Sequence, residues 1–181
     1  MSGVPLVVGV GNPLRGDDGA GPAAAERAAR DPRLAGARFR TVVQLTPELA
    51  ADVAGASVVV IVDARAGAPA GTVDCSPVDP PPEAVPGRGG TRASLSHHLD
   101  PAALAGLAGL AYSRIPPVFI VGIGAGRFDA GAPLSPAVAA ALPEAVDVVA
   151  ALVAALVAAD GDGDRSDTVR AVRGSTAPGV S

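Results

Sequence analysis

The sequence contains no lysine and no tryptophan, a single cysteine and a single tyrosine. One cysteine, Cys75, excludes an intramolecular disulfide and any zinc site built from several thiolates. Aromatic residues make up 2% of the chain, too few for stacking on nucleic-acid bases. All 14 basic residues are arginine and the net charge is -4, which argues against a nucleic-acid partner. Long hydrophobic runs are scarce too. The longest, Val148–Ala159, has 12 residues, short of the roughly 20 that cross a bilayer. It reads as the end of a core helix. The apolar run near the N-terminus has no basic segment before it, so a cytoplasmic protein without a membrane partner is expected.

What the chain does have is a substantial apolar content, 49% of 181 residues, enough for one domain with its own core. Its Ala, Gly, Pro and Arg bias is that of a GC-rich coding sequence, which weakens any argument from alanine or glycine content. Asn12 and Gln44 are the sole side-chain amides.

Patterning predicts the elements in order. Pro5–Val10 is a short β-branched strand that runs into glycines. Asp18–Arg30 is helical in propensity, with Pro22 tolerated in the first turn. Arg38–Gln44 is a second strand. Thr46-Pro47-Glu48 reads as a helix start, with Thr46 as N-cap and the helix ending at Gly55. Ser57–Val62 is apolar on both faces, as a strand buried in a parallel sheet must be, and Asp63 follows it. Gly71–Ser76 suggests an edge strand. Asp79–Arg92 is a Pro/Gly-rich loop. Asp100-Pro101 opens a helix to Tyr112, Pro117–Ile123 is a last buried strand, and Ser135-Pro136 starts a helix to Ala159. Alternating elements predict an α/β three-layer sandwich, with a mostly parallel twisted sheet between helices. That domain covers residues 1–159, and 160–181 are expected to form a disordered tail.

Three segments can carry chemistry. The first is Gly9–Gly21, GVGNPLRGDDGAG. It is not a dinucleotide fingerprint, because Leu14 stands where the third glycine belongs and no acid follows the second strand. Asp17 and Asp18 would repel a pyrophosphate but suit a cation. Asn12 would either hold the turn or donate to a peptide backbone. The second is Asp63, an acid at the end of a buried strand, costly unless paired, hydrogen-bonded or metal-bound. A turn or cap role is the plainer alternative. The third is His97-His98, the only histidines. Adjacent residues do not point the same way, so at most one would serve a given metal; exposed loop residues are the plainer alternative. Two carboxylates and an imidazole make a reasonable site for a borderline metal. Cys75 lacks an orienting partner for nucleophilic work. Ser94, Ser96 and Ser135 lack the strand–turn–helix elbow of a serine hydrolase.

These segments, taken in order, resemble the [NiFe]-hydrogenase maturation proteases. The likeness lies in GVGNPLRGDDGAG, QLTPELAADVAGASVVVIVDA, SHHLDPAALAGLA and PPVFIVGIGAGRFDAGAPLSPAVAAAL, spanning about Val4 to Ala159. The resemblance implies an endopeptidase that trims a C-terminal peptide from the hydrogenase large-subunit precursor after nickel insertion, by an aspartic-type or metal-assisted route. Carried over residue by residue, it assigns metal recognition and catalysis to Asp18, Asp63 and His97. His98 is the fallback ligand. Some relatives have Glu where Asp18 stands, so the reach here is shorter. Nickel would arrive with the precursor, and it would polarise the scissile carbonyl or activate water. Asp17 or Asp63 would serve as base. The resemblance implies the large-subunit precursor as partner, with a monomer expected in isolation. Two other readings compete: a non-proteolytic metal-binding partner of a hydrogenase subunit, and a small phosphate- or nucleotide-binding α/β protein.

Overall fold

The computed structural model describes residues 3–81 and 99–162. Strand β1 (Leu6–Val10) is buried at every position and forms the middle of a parallel core with β2 (Arg38–Val42) and β3 (Val59–Ala66). Strand β5 (Val118–Ala125) pairs parallel with β3, and β4 (Val73–Val78) closes the far edge antiparallel to β5. The strand order is β2-β1-β3-β5-β4. This five-stranded, mostly parallel sheet and the order of elements are those the patterning predicts.

Side chains alternate across each strand, so each face of the sheet collects its own core. On one face Val7, Val60, Val62, Phe119, Val121 and Ile123 meet α1 (Ala20–Ala28) and α4 (Pro136–Asp162). On the other, Leu6, Val8, Val59 and Ile61 meet α2 (Leu49–Ala54) and α3 (Pro101–Tyr112). Helices on both faces make the three layers.

Several boundaries differ from those predicted, each for a local reason. Strand β3 does not stop at Val62: it runs through Asp63 to Ala66, because β5 pairs with it along that whole length. Burial ends at Val62 while the ladder continues, and hydropathy alone reports only the buried part. Strand β2 stops at Val42, where Gly11 N–H donates to the Val42 carbonyl (2.9 Å) as the last rung before β1 turns away. Val43 is thereby left 64% exposed instead of central. Thr46 is not a helix cap. A turn bridges Leu49 N–H to the Thr46 carbonyl (3.1 Å), and α2 begins only at Leu49. The first helix is preceded by a 3₁₀ turn, Gly16–Gly19, so α1 proper begins at Ala20, with Pro22 in its first turn as expected.

By length and composition Pro136–Ala158 could cross a membrane, which corrects the 12-residue estimate. Here that helix lays a buried stripe, including Val138, Ala145, Val149 and Val153, onto α1 and the sheet. Its exposed face is mostly alanine, with Glu144 and Asp147 as its charges, and Asp147 accepts from Arg33 (2.7 Å). Packing of that stripe against α1 and the sheet is what marks it as a core helix. The helix continues to Asp162, slightly past its predicted end, and the expected tail beyond it lies outside the described residues.

Candidate functional site at the carboxyl ends of β1 and β3

The chain leaves β1 towards β2 on one side of the sheet and leaves β3 towards β4 on the other. Strand order therefore reverses between β1 and β3, and in open α/β sheets ligands bind in the crevice at such a reversal. Asp18 stands in the turn that follows β1, and Asp63 stands in β3 just past its buried segment.

Two close backbone approaches bring them together. Gly11 has φ of +135°, a conformation open to glycine, and a Cβ there would collide with the Asp18 carbonyl. Gly21, in the first turn of α1, lies so tightly over the strand ends that a Cβ would strike the carbonyl oxygens of both Val10 and Val62. The acidic turn is thus pressed onto the ends of β1 and β3.

The two carboxylates are near enough to influence each other. Burial pushes the Asp63 pKa up from 3.8 to about 6, the Ala64 N–H works against that rise, and the Asp18 charge adds to it. Ala64 N–H donates to Asp63 Oδ1 (2.8 Å). Asp18 Oδ2 accepts the Asn12 N–H (2.9 Å). Among the described residues neither carboxylate has an arginine partner, so no described cation neutralises this acidic pair. Such a pair can bind a cation, or take and release a proton near neutral pH.

The third predicted member is not placed. His97 and His98 lie outside the described residues, as do Ser94, Ser96 and residues 82–92 of the Pro/Gly-rich loop. Among the described residues no group of three or more His, Cys, Asp or Glu side chains is arranged to hold a metal. The helix that follows the histidines is placed, however. Asp100 caps α3, accepting the Ala103 N–H at 2.7 Å. Past the far end of α3, Arg114 donates to the Ala56 carbonyl just ahead of β3 (3.0 Å). That end of α3 therefore sits at the amino ends of the strands. Its N-terminus, about 18 Å away along the helix, points towards the carboxyl ends, where Asp18 and Asp63 are.

Two expectations about the acidic loop are settled. Asn12 holds the turn: its Oδ1 accepts the Leu14 N–H (2.9 Å). Asp17 is not available as a base. It is fully buried and accepts from Ser135 N–H (2.6 Å), Arg127 N–H (3.0 Å), Gly126 N–H (3.1 Å) and Ser135 Oγ (3.1 Å). Burial alone would raise its pKa, but the backbone donors of Ser135, Gly126 and Arg127, with the Ser135 hydroxyl, outweigh it and lower the pKa.

Sequence reasoning missed the Arg65–Asp74 ion pair beside the site. It lies over Gly122, whose missing side chain leaves room for it: a Cβ there would be 3.1 Å from Asp74 Oδ1 and 3.4 Å from Arg65 Cδ. Asp63, Gly122 and Asp74 share one row across β3, β5 and β4, which only the sheet register reveals. Cys75, next to Asp74, is half-buried. Burial, with the Asp74 charge, pushes its thiol up to about 11, the opposite of an activated nucleophile.

No protein-family model matches the sequence, and no curated protein matches it. Solved structures do. The [NiFe] hydrogenase maturation protease HybD from Thermococcus kodakarensis is 26% identical, with a TM-score of 0.59 over 83% of this chain and 99% of that one. A hydrogenase 2 maturation peptidase from a Thaumarchaeota archaeon is 24% identical, with a TM-score of 0.57 over 81% and 95%. The hydrogenase maturating endopeptidase HybD from E. coli is 22% identical, with a TM-score of 0.56 over 81% and 89%. The last two likenesses are ones of fold. The chain has the fold of the [NiFe]-hydrogenase maturation proteases, the family its motifs resemble.

Proposed function

We propose that the protein is a processing endopeptidase that removes a C-terminal peptide from a nickel-loaded [NiFe]-hydrogenase large-subunit precursor. The observation that carries this reading is the mutually interacting Asp18/Asp63 pair at the strand-order reversal of a fold shared with named maturation endopeptidases. In this reading Asp18, Asp63 and His97 engage the metal that the precursor brings. The direction of α3 supports His97 as the third group, since the helix that follows it starts towards the same end of the sheet. Asp63, with its pKa raised to about 6, is suited to take a proton near neutral pH. Asp18 keeps one oxygen on the Asn12 N–H and offers the other to the cation.

The test is a cleavage assay on purified precursor in nickel-loaded and nickel-free forms, read as loss of the C-terminal peptide by mass spectrometry. Cleavage of the loaded form alone, abolished in Asp18→Ala, Asp63→Ala and His97→Ala and kept in His98→Ala, is the expected result. A stable complex with the loaded precursor but no cleavage at any protein ratio would refute the endopeptidase reading in favour of a non-proteolytic partner.

A further inference from the structure

Asp17 is the only fully buried ionisable group among the described residues, and no step of the proposed reaction uses it. All four groups that donate to it come from the segment joining β5 to α4: Gly126, Arg127 and both donors of Ser135. The backbone reinforces the same junction. Asp17 N–H donates to the Arg127 carbonyl (2.7 Å), Gly16 N–H to the Ala132 carbonyl (3.1 Å), and Gly131 N–H to the Leu14 carbonyl (2.7 Å). The acidic turn is therefore fastened to a segment more than a hundred residues away in sequence, and among the described residues Asp17 is the turn's one side chain hydrogen-bonded to that segment.

Asp17 and Asp18 are neighbours in one 3₁₀ turn. Successive side chains in such a turn point about 120° apart. With Asp17 driven inward, Asp18 is turned outward to the mouth, where the Asn12 N–H holds one of its oxygens. We propose that Asp17 is a positioning residue: its contacts with Gly126, Arg127 and Ser135 set the direction of the Asp18 carboxylate opposite Asp63. Asparagine is no substitute. Its amide nitrogen would confront N–H donors that need an acceptor.

The placement of Asp18 stands on these contacts alone; its value to the reaction rests on the function proposed above. The Asn12 amide reports on that placement directly, because its partner is Asp18 itself. The experiment is amide hydrogen exchange by NMR on the full chain, comparing the wild type with Asp17→Asn and Ser135→Ala, with Asp18→Ala as the reference for a lost bond. Loss of a hydrogen bond of this kind is worth about tenfold in protection. Asp17→Asn should therefore lower Asn12 protection about tenfold, close to Asp18→Ala, while the Val60 and Val121 amides in β3 and β5 stay at wild-type rates. Ser135→Ala, which deletes one donor of four, should give a smaller loss at the same amide; it decides the matter should Asp17→Asn fail to fold. Wild-type protection at Asn12 in the folded variants, or a fall shared equally by Val60 and Val121, would overturn the proposal and leave Asp17 a general stabiliser. A parallel Cd(II) titration separates the two ideas. Should the wild type bind no Cd(II), the cation-holding role of Asp18 loses its support, while Asn12 exchange still decides the role of Asp17.

Discussion

Asp63 should weaken the folded protein at neutral pH, and removing its charge should strengthen it. Its pKa stands at about 6 instead of 3.8, chiefly because of burial and partly because of the Asp18 charge. Between those two values the folded state holds a proton that the unfolded chain has released. Stability therefore falls as pH rises through this window, and the loss is complete above about pH 6. At 1.36 kcal/mol per decade the displacement corresponds to about 3 kcal/mol. Asp63 is only part-buried, so solvent screening reduces the working figure to about 1–2 kcal/mol. Asp63→Asn keeps the shape and can keep the bond from Ala64 N–H. In urea melts with chelator present, the variant should be more stable than the wild type by about 1–2 kcal/mol at pH 7.5 and equal to it at pH 3.5. Thermal melts should show a gain of about 2–8 °C at pH 7.5. A variant less stable than the wild type at pH 7.5, or a gap that does not close at low pH, would refute the account of a charge held against its preference. Such a cost is what a group retained for chemistry rather than stability shows.

The other predictions concern the supports of the site. Gly21→Ala places a Cβ against the Val10 and Val62 carbonyls and should destabilise by at least about 2 kcal/mol, or prevent folding, as followed by circular dichroism. Asp100→Ala removes the cap of α3 and should cost about 1 kcal/mol in a urea melt. Phe119→Ala opens a cavity at a fully buried position under α1 and α4 and should cost about 3–5 kcal/mol by the same assay.

Much of this molecule is legible in its sequence. The run SVVVIV can be satisfied only between two apolar layers, so a buried parallel strand follows from composition alone. Asp100-Pro101 carries its own cap and its own first-turn proline, and α3 begins where they stand. Both signals are local: the residues that cause the structure sit within a turn of where it forms. The acids at 18 and 63 were also visible as a Gly-rich loop and a charge at the end of a buried run. Thr46 shows where local signals fail. Its cap, proline and acid pattern is sound, yet the segment closes as a turn and the helix starts at Leu49, whose side chain enters the core.

The resemblance pointed to Asp18, but only the tertiary structure gives the physical reason why, of two adjacent aspartates, it is the one that faces outward. Asp17 and Asp18 are chemically identical, and no local physical signal distinguishes them. The donors that claim Asp17 come from residues 126, 127 and 135, brought to it only when β5 and α4 have packed. The row that sets Asp63 beside Gly122 and Asp74 is likewise a product of sheet register. A sequence fixes propensities over a few residues, because those depend on neighbours along the chain. Which carboxylate is spent on the fold and which is left for the site depends on hydrogen-bond donors that arrive from elsewhere, and only the folded chain supplies them.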